Sequence, residues 1–194
     1  MTHRRLVLGS TSPYRRELLQ RLHIPFETAV PQFDETPLPG EVPSASAERL
    51  AIGKARSLAG RFPDALIIGA DQVASCDGAR LDKPGNHQTA TRQLRALSGK
   101  SARFDTAVAL LDAASGNQES RVVECRVTFR SLSDAMIESY LRKEQPYDCA
   151  GSAKAEGLGI ALIERIETDD PTSLIGLPLI ALAGMLERAG LPVL

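Results

Sequence analysis

The chain has 194 residues, 43% of them hydrophobic, and a formal net charge of −1 at pH 7. This length fits one large domain or two small lobes, and the apolar content suffices for a packed core, which excludes general disorder. The near-neutral charge argues against a nucleic-acid coat or a membrane-surface protein, and no apolar run reaches transmembrane length. The cysteines and histidines lack ligand spacing, which predicts neither a disulfide framework nor a zinc site and favours a cytoplasmic protein: Cys76, Cys125, Cys149, His3, His23 and His87.

The first predicted elements are a buried strand at Leu6–Leu8 and an amphipathic helix. Ser12 is a good N-cap residue and Pro13 a good first helical residue, and leucines follow at helical spacing. The proline-rich segment 25–43 is expected to be irregular. A second helix is expected over residues 46–59.

The later elements predict a mixed α/β protein. An apolar run at 66–68 is typical of a strand covered on both faces, and this strand is expected to end in Asp71. The remaining predictions, in chain order, are a helix over 87–97, antiparallel strands at 104–111 and 121–129, a helix capped by Ser133, a strand at 160–166 and a final helix before Gly190. This order favours a mixed twisted sheet with flanking helices in a single domain over residues 1–194, as one body or as two lobes.

Two adjacent arginines, Arg15 and Arg16, fall in the first turn of the first helix. Arginine there costs about 0.3 kcal/mol against the helix dipole. A bound phosphate would reverse the sign, because exposed N–H groups and guanidinium forks both favour anions. The hydroxyls at positions 10–12 would add donors. The alternative is a solvated arginine pair.

Four further charged residues stand out. Lys54 interrupts an apolar helical stripe, so either its stem extends to solvent or its ammonium meets an anion in a cleft. Lys83 adds a cation in a loop. Asp71, at the expected strand end, would need a metal, a proton or a cation if buried, whereas a capping or turn aspartate would not. Glu35 is a candidate second oxygen ligand, because Mg²⁺ is usually held by carboxylates and substrate phosphates.

Several short motifs occur together in a fixed order along the chain. They are LGSTSPYRRELL, DE at 34–35, Lys54, GADQV, KP at 83–84, LSG at 97–99, CAGSAKAEG and LIGLPL. From Leu6 to about Leu186, this series resembles the Maf family of nucleoside triphosphate pyrophosphatases. The resemblance implies an α/β fold similar to inosine triphosphate pyrophosphatases, with a substrate cleft between two lobes. It also implies a homodimer that uses Mg²⁺, Mn²⁺ or Co²⁺ to hydrolyse its substrate between the α and β phosphates.

The resemblance also implies roles for individual residues. By position, Asp71 corresponds to the family's proton acceptor and, with Glu35, to its metal ligands. The positions that contact phosphate correspond to Ser10, Arg15, Lys54 and Lys83. The family often has a histidine after the LSG motif, but this chain has Ala102, so no role of that histidine applies.

Three positions resemble the branch of the family that acts on 7-methyl-GTP and removes modified nucleotides from the pool. They are Tyr14, Gln72 and Glu156, where the dTTP/UTP branch usually has Arg, Thr and Gln. Tyr14 could stack on the cationic methylated base, a cation–π contact of about 0.5–2 kcal/mol, or simply pack in its helix. Glu156 could accept from the guanine edge. The alternatives are a pyrophosphatase for dTTP, UTP or CTP and a nucleotide-binding regulator of septum formation.

Overall fold

The computed structural model describes residues 4–194, so His3 lies outside the described residues. The chain divides into two compact units. The first comprises the chain up to Gln72 together with residues 106–123 and 170–194, and the second comprises residues 73–105 and 124–169.

Seven strands form one mixed sheet, with helices before and after them in the chain. The strands are β1 (Leu6–Gly9), β2 (Glu27–Ala29), β3 (Leu66–Cys76), β4 (Ala79–Leu81), β5 (Ser101–Asp112), β6 (Gln118–Phe129) and β7 (Ile163–Thr168). The helices are α1 (Pro13–Gln20), α2 (Pro43–Arg56), α3 (His87–Leu97), α4 (Asp134–Glu144) and α5 (Leu179–Arg188), with short 3₁₀ turns at Ala150–Ser152 and Leu158–Leu162.

The sheet has the strand order β2-β1-β3-β5-β6-β7, with β4 paired to β3. Strand β1 is parallel to both β2 and β3, whereas the β3–β4 and β6–β7 pairs are antiparallel. This mixed sheet confirms the predicted α/β class. Among residues 4–194, no helix combines the length and the apolar character that a membrane crossing requires.

The core of the first unit lies on both faces of β1 and β3. Leu6 and Leu8 belong to a cluster that includes leucines of α1 and α5, whereas Val7 packs in a second cluster with Ala55 and Leu58. This alternation follows from the two-residue period of a strand, which directs successive side chains to opposite faces. The first unit therefore has one face that packs on α1 and α5 and another that packs on α2.

Helix α2 crosses β3 at Gly69. A β-carbon added to Gly69 would lie 2.0 Å from the backbone oxygen of Ala51 and 2.9 Å from the backbone nitrogen of Ala55. Only glycine permits two backbones to approach this closely. Gly69 therefore sets the distance between α2 and β3. This distance determines which side chains of α2 can contact the residues of β3 that follow Gly69.

The expectation that β3 ends in Asp71 is wrong, because the strand continues to Cys76. Strand β1 pairs with β3 only as far as Gly69, and the later residues Ala74 to Cys76 pair with β4 instead. These additional hydrogen bonds extend the strand, and they come from a partner that follows it in sequence. Asp71 thus lies just beyond the end of β1, within β3.

Other boundaries also differ from expectation, and β5 and β6 each begin three residues early. Helix α2 spans 43–56 rather than 46–59, because Pro43 begins it at a position that suits proline. The expected irregular segment contains β2, which adds to β1 as a short parallel strand. Strand β7 begins at Ile163, because residues 158–162 form a 3₁₀ turn.

The second unit contains α3 and α4, whose buried side chains include Leu94, Leu97 and Leu141. The loop before α3 is tied to the segment after α4, because the Gly85 N–H donates to the Tyr147 carbonyl at 2.9 Å.

Candidate active site

A buried lysine and two carboxylates meet in the first unit. Lys54 Nζ lies 2.7 Å from Asp71 Oδ1 and 2.7 Å from Glu35 Oε2. Lys54 and Asp71 are only 6% and 8% exposed, whereas the Glu35 side chain is 55% exposed. Because both carboxylates contact one ammonium, their oxygens are no more than twice that distance apart. Three of the predicted site residues therefore form one cluster.

The Gly69 crossing explains why Lys54 reaches Asp71. Residues 67, 69 and 71 of β3 face α2, and Lys54 lies one turn after Ala51, whose backbone oxygen lies against Gly69. The interruption of the apolar stripe is thus a buried charge with two partners, not a side chain that extends to solvent. A buried ammonium is tolerated only with such partners.

Arg15 is anchored at the start of α1 by the loop that precedes α5. Its Nε donates to the Gly176 carbonyl at 2.8 Å, and its backbone N–H is capped by Ser12 Oγ at 3.4 Å. Burial lowers the pKa of Arg15, and the negative charges of Asp71 and Glu35 oppose that shift. The guanidinium thus has a single protein acceptor among the hydrogen bonds of the described residues, and Nη1 and Nη2 are not used in them.

The other candidate residues at or just before the start of α1 differ in solvent exposure. Ser10 is buried, and its Oγ accepts the Ser12 N–H at 3.1 Å. Tyr14 is half-buried, whereas Arg16 is exposed. Of the two adjacent arginines, Arg15 is therefore the one placed near the carboxylate cluster.

Gln72 lies on the opposite face of β3 from Asp71, as the strand alternation requires. Its Nε2 lies 2.9 Å from Thr106 Oγ1 and 3.1 Å from the carbonyl oxygens of both Ser173 and Leu174. Gln72 therefore supports the turn that leads to Gly176, the acceptor of Arg15. Its predicted part in substrate choice stays a prediction.

Two predicted site residues belong to the second unit. Lys83 is exposed in the loop between β4 and α3. Glu156 is exposed between the two 3₁₀ turns, and its pKa is raised by desolvation of its carboxyl and by the negative charges of Glu144 and Asp148.

Residues 4–194 contain no group of three or more histidine, cysteine, aspartate or glutamate side chains arranged to hold a metal ion. Glu35 and Asp71 supply two carboxylates to the cluster around Lys54. Mg²⁺ commonly takes one or two carboxylates and completes its coordination with water and substrate phosphates. The pair therefore fits a metal held jointly with a nucleotide, and does not fit a metal held by protein alone.

Sequence reasoning did not identify three residues that organise the site. Gly176 belongs to the LIGLPL motif, but nothing local indicates that its carbonyl binds Arg15. Phe33 and Arg49 hold the segment that carries Glu35 against α2. The one sequence signal for this packing is Gly53, a glycine in the middle of a helix.

Comparisons with known proteins identify the family of this chain. Residues 5–189 match the family model described as Maf-like protein. The chain is 61% identical over 189 residues to a 7-methyl-GTP pyrophosphatase of a Polaromonas species, a match that covers 97% of this chain and 86% of that protein. It is 58% identical to a protein of the same name from Cupriavidus pinatubonensis, with 97% and 94% covered, and 58% identical to one from Nitrosospira multiformis, with 97% and 95% covered. The chain belongs to the Maf family.

Proposed function

We propose that this chain hydrolyses 7-methyl-GTP to 7-methyl-GMP and diphosphate with the help of a divalent cation. The observation that carries the proposal is the cluster of Lys54, Asp71 and Glu35 beside Arg15. The cluster combines cations that can bind a triphosphate with a buried carboxylate that can orient a water molecule. The similarity to several proteins named 7-methyl-GTP pyrophosphatase supports this choice of substrate.

The reaction needs a base and positive charge. Asp71 orients or deprotonates the water that attacks the α-phosphorus, while the bond to the β-phosphate oxygen breaks and diphosphate leaves. Arg15 and Lys54 offset the negative charge that grows on the leaving group, with Ser10 as a further donor and Lys83 as a cation from the second unit.

We propose that Glu35 and Asp71 hold the divalent cation, Mg²⁺, Mn²⁺ or Co²⁺, together with substrate phosphates. When bound, the cation neutralises phosphate charge and polarises the scissile bond. The carboxylates are already close together through Lys54, which keeps both oriented before substrate arrives.

Base selection is assigned to Tyr14, Gln72 and Glu156. A 7-methylated guanine carries a positive charge. Such a base is favoured by stacking on an aromatic face and by a nearby carboxylate. Glu156→Gln should therefore reduce the ratio of kcat/KM for 7-methyl-GTP to that for GTP more than it lowers kcat.

The test is a panel of ordinary and 7-methylated nucleoside triphosphates with Mg²⁺ or Mn²⁺, with diphosphate release as the measurement. A higher kcat/KM for 7-methyl-GTP than for GTP, dTTP, UTP and CTP is the expected result. Faster hydrolysis of dTTP or UTP would replace this substrate by the pyrimidine alternative. Binding without hydrolysis of any nucleotide would favour a regulatory protein, including one that acts in septum formation.

We also propose that the enzyme is a cytoplasmic homodimer, in keeping with its family resemblance and with a nucleotide substrate. Light scattering coupled to size-exclusion chromatography tests the assembly, and a monomer mass at micromolar concentration would contradict it.

A further inference from the structure

Glu35 lies in a proline-rich segment, residues 30–42, outside any helix or strand. Its side chain is 55% exposed, yet its carboxylate is held 2.7 Å from Lys54 Nζ. A long exposed side chain has many rotamers, so this contact is reliable only if the backbone around it is fixed. The packing of the segment against α2 is therefore part of the site.

Phe33 fixes the segment two residues before Glu35. The tip of its ring lies against Gly53 in α2, where a β-carbon would be 2.3 Å from Cζ and 2.5 Å from both Cε atoms. A glycine inside a helix costs about 0.5–1 kcal/mol relative to alanine. The ring occupies the space that an alanine side chain would need, which accounts for a glycine that helix propensity disfavours.

Arg49, one helical turn before Gly53, fixes the segment after Glu35. Its Nε and Nη2 donate to the two Glu41 carboxylate oxygens at 2.7 and 2.8 Å, and Nη2 also reaches the Thr36 carbonyl at 3.3 Å. Thr36 is in turn held by Asp34 Oδ1, at 2.9 Å from its backbone N–H and 2.6 Å from its hydroxyl. The segment is thus attached to α2 on both sides of Glu35.

We infer that Phe33, seated against Gly53, is a positioning residue that holds Glu35 in the site. This inference rests on the role proposed above for Glu35 toward the divalent cation. The ring need not touch substrate, because it acts through the backbone that joins it to Glu35.

The surroundings of the ring allow a clean test. Phe33 and Gly53 line an open groove of about 800 Å³ along α2, together with Gln32, Arg49 and Ile52. A ring displaced by a new methyl group at position 53 has room to move into this groove. Gly53→Ala should therefore fold, with the ring moved and Glu35 no longer fixed.

The experiment compares Phe33→Ala, Gly53→Ala, their double variant and Glu35→Gln. The matched control is Gly60→Ala, because no atom lies within 4 Å of a β-carbon at that position. Mn²⁺ binding is measured from the electron paramagnetic resonance signal of free Mn²⁺, in the presence of the α,β-methylene analogue of 7-methyl-GTP. Thermal unfolding and the kcat and KM for 7-methyl-GTP are measured in parallel.

We expect Phe33→Ala and Gly53→Ala each to raise the half-saturating Mn²⁺ concentration about 10-fold, as loss of an outer support of a metal ligand does. The double variant should match Phe33→Ala, because both changes remove one contact and their effects do not multiply. Gly60→Ala should bind Mn²⁺ like the unmodified protein. A purely structural defect would lower the unfolding temperature without changing the Mn²⁺ affinity of the folded fraction.

Two other outcomes overturn different statements. If Glu35→Gln weakens Mn²⁺ binding and Phe33→Ala does not, the positioning role is wrong while the role of Glu35 stands. If Glu35→Gln leaves Mn²⁺ binding unchanged, the proposed role of Glu35 fails and the inference fails with it.

Discussion

At the scale of single residues, the site depends on one buried ion pair. Asp71 is shielded from water, and Lys54 is the cation that hydrogen-bonds to its carboxylate and fixes its direction. A base held this way is oriented before substrate arrives, which avoids reorganisation during the reaction. In the proposed mechanism, the pair thereby serves both stability and catalysis.

Asp71→Asn removes the base but keeps the size of the side chain. We expect kcat for 7-methyl-GTP to fall at least about 100-fold, because general-base assistance contributes that much or more. Binding of the α,β-methylene analogue should change little. Calorimetric titration with the analogue measures binding, and Asp134→Asn, an exposed carboxylate in α4, is the control. Undiminished turnover would remove Asp71 from the mechanism.

Lys54→Met leaves Asp71 buried without its cation. We expect the free energy of unfolding to fall by about 3–5 kcal/mol, as when one partner of a buried pair is removed. Urea unfolding monitored by circular dichroism measures the loss. Lys100→Met removes an exposed ion pair with Asp77 and should change stability much less than Lys54→Met. Equal losses in the two variants would show that burial of the Lys54 pair is unimportant.

At the scale of elements, the crossing of α2 over β3 brings the site residues together. Lys54 belongs to a helix and Asp71 to a strand, and a turn-rich linker separates the two elements. Their side chains reach each other because the helix lies so close to the strand at Gly69. Glycine at this position is therefore as much a part of the site as the charged residues.

Gly69→Ala tests the crossing directly. The new methyl group would collide with the α2 backbone at Ala51, which cannot move as a flexible side chain could. We expect a loss of about 1–3 kcal/mol in stability and a clear fall in kcat, because α2 must shift away from β3. Gly60→Ala is again the matched control. Normal activity in Gly69→Ala would mean that the helix position does not set the Lys54–Asp71 contact.

Local patterns predicted the elements better than they predicted their ends. The first turn of α1 and the bounds of α3 follow from capping residues and helical spacing, and both agree with the structure. The continuation of β3 past Asp71 involves pairing with β4 across the Asp77-Gly78 turn, which the interpretation of Asp71 as a strand end did not take into account. Because the strand was expected to stop at Asp71, the opposite orientation of Gln72 was not predicted either.

The candidate site was predictable as a set of unusual charges and not as a geometry. Lys54 was recognised because a buried stripe should not contain an ammonium. Its contact with Glu35 depends on an irregular segment without any period, whose position comes from Phe33 and Arg49. The anchoring of Arg15 by Gly176 joins residues 161 positions apart, beyond any spacing rule.

At the scale of the whole molecule, the proposed residues are divided between two units. The first unit carries the buried ion pair and Arg15, whereas the second carries Lys83 and Glu156. The proposed base thus belongs to the first unit, whereas Lys83 and Glu156 are exposed charges of the second. Substitutions of Glu156 should accordingly affect substrate choice before they affect the chemical step.

The free energy of unfolding should fall at alkaline pH, in part because the buried Cys125 thiol titrates. Burial raises the pKa of this thiol from 9.0 to about 11. Between these values the unfolded chain has lost a proton that the folded chain keeps, so the free energy of unfolding falls as pH rises, by about 3 kcal/mol at most. Urea unfolding from pH 8 to 11 should show a shallower decline in Cys125→Ala. Identical slopes would mean that the thiol does not contribute.

The triad of Lys54, Asp71 and Glu35 also bears on how the enzyme returns to its starting state. The Lys54 ammonium donates a hydrogen bond to Asp71 Oδ1 at 2.7 Å and forms an ion pair with Glu35. If Asp71 takes a proton from water during hydrolysis, its ion pair with Lys54 weakens until that proton leaves. In the proposed mechanism, re-formation of the pair after the proton leaves returns the Asp71 carboxylate to its starting position for the next turnover.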